Sequence, residues 1–176
     1  MRQDERFQRT YCSYWALNGA GLGQAFRSAY FTLLEKEKRS TASPAVDKVA
    51  RALYEIPVAK ERKALQFSFA SKLAHMVNPR LPIYDRAVEA FYFLPRSYSG
   101  TPEERLQNLM LSYRFLIDEY ERVLRDGLLD PALQAFRRHF GVSADYSDEK
   151  VIDTLIWKFV PLLENGAIRD GTVVFC

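Results

Sequence analysis

The stretch from Leu65 to Leu94, LQFSFASKLAHMVNPRLPIYDRAVEAFYFL, is the least polar long segment of the chain and is broken once, at Asn78-Pro79-Arg80-Leu81-Pro82. Prolines at 79 and 82 remove two amide donors and clash with a preceding helical turn, so no single helix can run through them. Before the break, Leu65, Phe69, Leu73, Met76 and Val77 recur at helical spacing and predict an apolar stripe. Ser68, Ala70, Ser71 and Ala74 occupy much of the remaining surface, with Phe67 on the far side. A helix apolar or small nearly all round is expected to be central and buried. After the break, Asp85 stands at an N-cap position, where its carboxylate accepts the orphan amides of the next turn, and Val88, Phe91, Tyr92 and Leu94 follow. The unit therefore reads as buried helix, proline-bracketed turn, aspartate, helix.

This arrangement resembles the centre of the helix-hairpin-helix DNA glycosylases, with a helix containing Lys-x-Ala, a short connection, and a hydrophobic-hydrophobic-Asp-x-x-Val signature opening another helix. The resemblance implies that Asp85 faces a base-excision pocket and that Lys72 matches the lysine that attacks the sugar in bifunctional members. The run FSFASKLAHMVNPRLPIYD, with YWALNGAGL near the start and KVIDTLIW near the end, is also similar to a group of uncharacterised bacterial proteins. Two departures stand out. The glycosylase hairpin carries Gly-x-Gly before the lysine, and its amides hold a DNA phosphate. Here the residues are Phe67-Ser68-Phe69-Ala70-Ser71. The spacing from lysine to aspartate is also several residues shorter. The likeness covers about thirty of the 176 residues and implies a fold more strongly than an activity.

Outside that unit, caps and breaks predict further helices. Residues 4–16 carry Phe7, Tyr11, Tyr14 and Trp15 on one side and end at Asn18-Gly19-Ala20-Gly21. A second helix runs from about Leu22 to Lys38. The glycines lack the preceding strand and the lysine-serine of a phosphate loop, so a turn is the better account. Ser43-Pro44 predicts a helix through Tyr54, and the central pair follows from about Ala59. Pro95 to Gly100 reads as a polar loop. Thr101-Pro102-Glu103-Glu104 is a capping box opening the longest helix, to about Arg125. Asp130-Pro131 begins a helix ending before Gly141, and Ser147 caps a last one from Asp148 to about Glu164. The tail from Ala167 to Cys176 reads as a short extended segment. The expectation is one all-α domain over 1–176, a compact bundle of seven or eight helices, glycosylase-like by the resemblance.

A chain of 176 residues, 48% hydrophobic and 14% aromatic, can bury a sizeable core and is unlike a disordered sequence. No run of eighteen apolar residues predicts a membrane span. The charged MRQDERFQRT start is unlike a signal peptide, and the two cysteines, Cys12 and Cys176, form no metal knuckle, so a cytoplasmic, reducing location is expected. Net charge is only +3, but between Lys60 and Arg96 seven basic residues face three acidic ones. Such an excess suits either a phosphate-facing surface or solvated helix ends.

Candidate site residues follow from these readings. Asp85 is either a plain cap or, beside the apolar Ile83-Tyr84, a carboxylate placed to stabilise a developing sugar cation or activate a water. Lys72 falls on the apolar face, where it snorkels outward or is desolvated toward a nucleophilic amine. His75 is a packing residue or a neighbour of Asp85. Arg80 and Arg86 belong to the basic excess as substrate contacts. Tyr84, Tyr92, Trp15 and Tyr14 either stack an extruded base or fill a core with polar handles. Neither His75 nor His139 stands in a metal-ligand spacing or follows an arginine as in the HEPN ribonucleases. Trp157 is expected in the core and Asp153 at solvent or a helix-pair contact, with an approach to the pocket as the alternative. No cofactor or metal is expected. DNA is the expected partner, for a base-excision enzyme or, alternatively, for a non-catalytic module binding nucleic acid or a partner protein.

Overall fold

A computed structural model describes residues 4–18, 21–58, 62–96, 99–143, 145–169 and 171–173. Its order is α1 (Glu5–Tyr14), α2 (Gln24–Lys38), α3 (Val46–Tyr54), α4 (Phe67–Val77), α5 (Arg86–Phe91), α6 (Pro102–Arg125), α7 (Asp130–Phe140) and α8 (Asp148–Glu164). Ile168–Arg169 and Thr172–Val173 then pair as a minimal antiparallel ladder. The protein is an all-α bundle. The predicted start near Ala59, the Gly19-Ala20 break, the middle of the Pro95–Gly100 loop and the end of the tail with Cys176 lie outside the described residues.

α4 is the central helix. Ala70, Ser71 and Ala74 are fully covered, and their small side chains let α2 and α3 pack closely on it. Leu65 lies before the helix and is only half-buried. On the α2 side, the wholly buried Tyr30 hydroxyl donates to the Phe69 carbonyl at 3.3 Å and accepts the Tyr11 hydroxyl at 2.9 Å, which satisfies both phenols. α3 begins two residues later than Ser43-Pro44 suggests, with Ala45 at the cap position. The Ser43 hydroxyl is instead engaged by the Asn78 amide at 3.0 Å, tying this loop to the central turn. The capping box of α6 is complete, with Thr101 Oγ1 accepting the Glu104 amide and Glu104 Oε2 accepting the Thr101 amide. Arg51 and Glu103 pair across α3 and α6.

The proline-bracketed turn between α4 and α5 is held at nearly every backbone polar group. Pro79 and Pro82 have no amide to satisfy. Each remaining amide from 80 to 84 has a partner: Arg80 on Asn78 Oδ1, Leu81 on the Asn78 carbonyl, Ile83 on Asp153, and Tyr84 on Ser71 Oγ. The carbonyls of Pro79, Leu81, Pro82 and Tyr84 accept from Ser147 Oγ, His75 Nδ1, Tyr113 Oη and Ser71 Oγ. Three of these partners, Tyr113 of α6, the α8 cap Ser147 and Asp153 of α8, are side chains more than thirty residues away in sequence. The turn is a junction of the bundle.

Four helices end with the same device, an αL residue after the cap and a backward bond from the next amide. Gly127 and Gly166 fill the αL position after α6 and α8, with bonds from Leu128 to the Val123 carbonyl and from Ala167 to the Leu162 carbonyl. After α1 and α5 the position is taken by Ala16 (φ 58°) and Phe93 (φ 53°), where only glycine is free of strain.

Candidate functional site

The α1 ending shapes the first wall of a cavity. Its αL turn at Ala16 drives Trp15 and Leu17 into the core and leaves Tyr14 60% exposed. Opposite lies α8, with Val151, Ile152, Asp153, Ile156 and Val160 buried against the bundle. Between them, the middle of α4 contributes Lys72, and the central turn contributes Ile83 and Asp85. The enclosed space is about 280 Å³ and is lined by Tyr14, Trp15, Lys72, Asp85, Lys150, Asp153 and Trp157, with smaller groups between. A shallower groove adjoins it, lined by Lys72, Asp85, Arg86, Trp157 and Glu164 among others.

Asp85 caps α5 with one oxygen. Oδ1 accepts the Ala87 amide at 3.0 Å and the Val88 amide at 3.2 Å, so the cap leaves Oδ2 out. The capping expected of Asp85 is present, and the carboxylate also lines the cavity.

Lys72 is half-buried, with Nζ 5.9 Å from the Trp15 ring centre and 5.4 Å from that of Phe69. Burial pushes its amine below the usual lysine range. The Asp85 charge opposes that shift and the Lys150 charge adds to it. Lys150, from the first turn of α8, reaches over the same indole at 4.5 Å and approaches the Tyr14 ring at 5.5 Å. Burial lowers it too, opposed by Asp153, Tyr146 and Asp85.

Asp153 is only 5% exposed. Its Oδ1 accepts the Tyr120 hydroxyl at 2.7 Å, and both oxygens lie within 3.4 Å of the Ile83 amide. Burial nonetheless raises its carboxyl to about 7, outweighing the hydrogen bonds and the Lys150 charge that favour the ionised form. It is the expected helix-pair contact, between α8 and Tyr120 of α6, and it also lines the cavity. His75 Nδ1 approaches Asp153 Oδ2 at 3.9 Å but lies 2.7 Å from the Leu81 carbonyl, which can only accept. Nδ1 therefore carries the proton and points at that carbonyl. Burial lowers the imidazole to about 4, so the His75–Asp153 approach is not an ion pair at neutral pH.

No family model, curated protein or solved structure matches this chain.

The expected site residues separate into those inside the cavity and those outside it. Asp85, Lys72, Tyr14 and Trp15 meet there. Tyr84 does not, because its side chain points into the core, edge-on to Phe67 at 5.2 Å and 2% exposed, and it cannot stack a base. His75 is sealed behind the turn and serves its backbone. Tyr92 packs on Phe91, Phe115 and Tyr120, and burial pushes its phenol up to about 12. Arg80 is exposed at the far end of the turn, and Arg86 lines the adjoining groove, 3.6 Å from Glu164. Of the basic excess, Lys63 pairs with Glu55 and Arg96 approaches Glu89, so part of that charge is spent on local ion pairs.

Three cavity residues, Lys150, Asp153 and Trp157, come from α8; sequence reading held Asp153 at the pocket only as an alternative, put Trp157 in the core and gave Lys150 no role. Trp157 is 63% exposed at the cavity mouth instead of in the core. The signal was a lysine and an aspartate three residues apart at the start of a mostly apolar helix, a pair that shares one helix face. Among the described residues, no cluster of His, Cys, Asp and Glu could hold a metal ion, and no helix is long and apolar enough to cross a membrane.

Proposed function

We propose that the cavity receives a base extruded from DNA and that the protein acts as a base-excision glycosylase-like enzyme. The observation that carries this reading is the meeting of Asp85 and Lys72 in one aromatic-walled cavity of about 280 Å³. That size lies near the lower end of small-ligand clefts, about 300–1,000 Å³. Tyr14 and Trp157 at the mouth offer exposed ring faces to a planar ligand. Asp85 Oδ2 stabilises the positive charge that develops on the sugar as the glycosidic bond breaks, and a desolvated Lys72 amine is the candidate to attack C1′. The likeness of the Leu65–Leu94 unit to the glycosylase centre supports the same reading.

Borohydride trapping on damaged-base duplexes tests the lysine route, and abasic-site detection tests excision without it. A covalent adduct lost in Lys72→Ala, or abasic product lost in Asp85→Asn, supports the proposal. Neither product on any damaged duplex overturns it.

A second reading is a non-catalytic module that binds nucleic acid or a protein partner on this scaffold. It is favoured by the entry to α4, where Gln66 occupies the cap position with no side-chain cap bond and no glycine is present to cradle a phosphate. Duplex binding without product release distinguishes it.

A further inference from the structure

Lys72 on α4 and Lys150 on α8 enter the cavity from different helices, and both ammonium ends lie within 6 Å of the Trp15 ring centre. Two half-buried cations over one indole repel each other, so the geometry favours a state with one proton fewer. The surroundings decide which amine gives it up. Lys150 lies closer to Trp15, also faces Tyr14, and has Asp153 three residues on along its own helix. Lys72 faces Tyr14 from α1, Asp85 and Arg86 from the turn and α5, and Lys150, Asp153 and Glu164 from α8. Of these, Asp85 is the counter-charge that acts on it, and that carboxylate is shared with the amides of α5.

We infer that the two lysines work as a pair in which Lys150 carries the positive charge and thereby holds the Lys72 amine free to add to an aldehyde. Burial and the neighbouring cation act on Lys72 in the same direction. The Lys72 Nζ lone pair adds to the carbonyl carbon, and the oxygen takes up a proton from the nitrogen to give a carbinolamine. Loss of its hydroxyl together with the remaining nitrogen proton, as water, leaves a C=N bond. The substrate class is an aldehyde small enough for the cavity, which includes the open-chain C1′ of an abasic deoxyribose. Lys150 acts through Lys72 and is a positioning residue. The inference shares with the proposed function only the premise that Lys72 is the reacting amine, and it requires no DNA.

The test uses the full chain, benzaldehyde and cyanoborohydride, which delivers hydride to the imine carbon and leaves a stable secondary amine, followed by peptide mapping across pH 6 to 9. At pH 7, Lys72 is expected to be labelled at least about tenfold faster than the exposed Lys36, Lys48 and Lys158, with Lys150 unlabelled. Lys150→Met should slow Lys72 labelling about tenfold and move its pH midpoint upward by about one unit, while Lys150→Arg keeps it within about twofold. The wild-type labelling pattern decides the matter if the Met variant does not fold. Preferential labelling of Lys150, equal labelling of all lysines, or equal effects of Met and Arg each overturn the inference. Selective Lys72 labelling without excision of any damaged base counts against the proposed function and leaves the pair intact. Excision with Lys72 unlabelled does the reverse.

Discussion

The Asp153 carboxyl on α8 accepts the Ile83 amide on the turn that delivers Asp85, with the two oxygens 3.4 and 3.3 Å from the nitrogen. One buried acid thus fixes the approach of the candidate catalytic carboxylate and also lines the cavity beside it. Its proton affinity is coupled to the stability of the bundle.

That coupling has a definite sign. Asp153 is raised from 3.8 to about 7, so the folded state holds its proton more tightly than the unfolded chain. Its contribution is fully present below about pH 4 and is lost as pH rises through 7. His75 is lowered from 6.5 to about 4, so its contribution is present above 6.5 and is lost as pH falls toward 4. The two slopes oppose each other between about pH 4 and 6.5, and wild-type stability there should be nearly flat with respect to these groups. Asp153→Asn removes one slope and exposes the other. Urea unfolding of that variant should weaken by about 1.4 kcal/mol per pH unit on acidification through this window. A pH dependence identical to wild type would show that Asp153 does not hold a proton there.

Asp85→Asn separates cap from charge. Asparagine accepts the same amide bonds, so stability should fall by no more than about 1 kcal/mol in thermal or urea unfolding. Activity on a damaged duplex should fall at least about 10²-fold, the scale for losing one electrostatic group. An Asn variant as active as wild type would leave Asp85 a cap and nothing more.

Ser71 carries more than its size suggests. Its hydroxyl accepts the Tyr84 amide at 3.0 Å and is placed to donate to the Tyr84 carbonyl at 3.2 Å or the Ser68 carbonyl at 3.0 Å, in a fully buried site. Ser71→Ala leaves the Tyr84 amide without that partner and should cost about 1–3 kcal/mol in urea unfolding. Cys at the same position, similar in size but a weaker hydrogen-bonding group, should recover only part of the loss.

Phe93 occupies an αL position with 91% of its surface in solvent. Phe93→Gly relieves the backbone and forfeits almost no burial, so the melting temperature should rise, corresponding to about 1 kcal/mol. A drop in stability would mean that the ring packs on something in solution, and a dilution series in analytical ultracentrifugation would then reveal self-association.

Much of the bundle was legible in residue order because helix ends are local chemistry. The Thr101–Glu104 box and the Ser147 and Asp85 caps depend on atoms within four residues of one another, and each appears where expected. The small residues of 68–74 announced a buried helix for the same reason. Ser43-Pro44 misled because a distant group, Asn78, claims the serine hydroxyl.

The candidate site divides along the same line. Residue order by itself determined that α4 is central, that Asp85 caps the next helix, and that Lys72 lies on an apolar face. Tertiary structure alone decided that Tyr84 turns into the core, that Trp157 turns out of it, and that Lys150 and Asp153 of α8 meet Lys72 and Asp85 across more than sixty residues. A helix such as α8, apolar on several sides, contains no local information about which side its neighbours will cover. The packing of α5 and α7 against it makes that choice. Burial then follows from the choice, and with it the proton affinities of the two lysines and the aspartate.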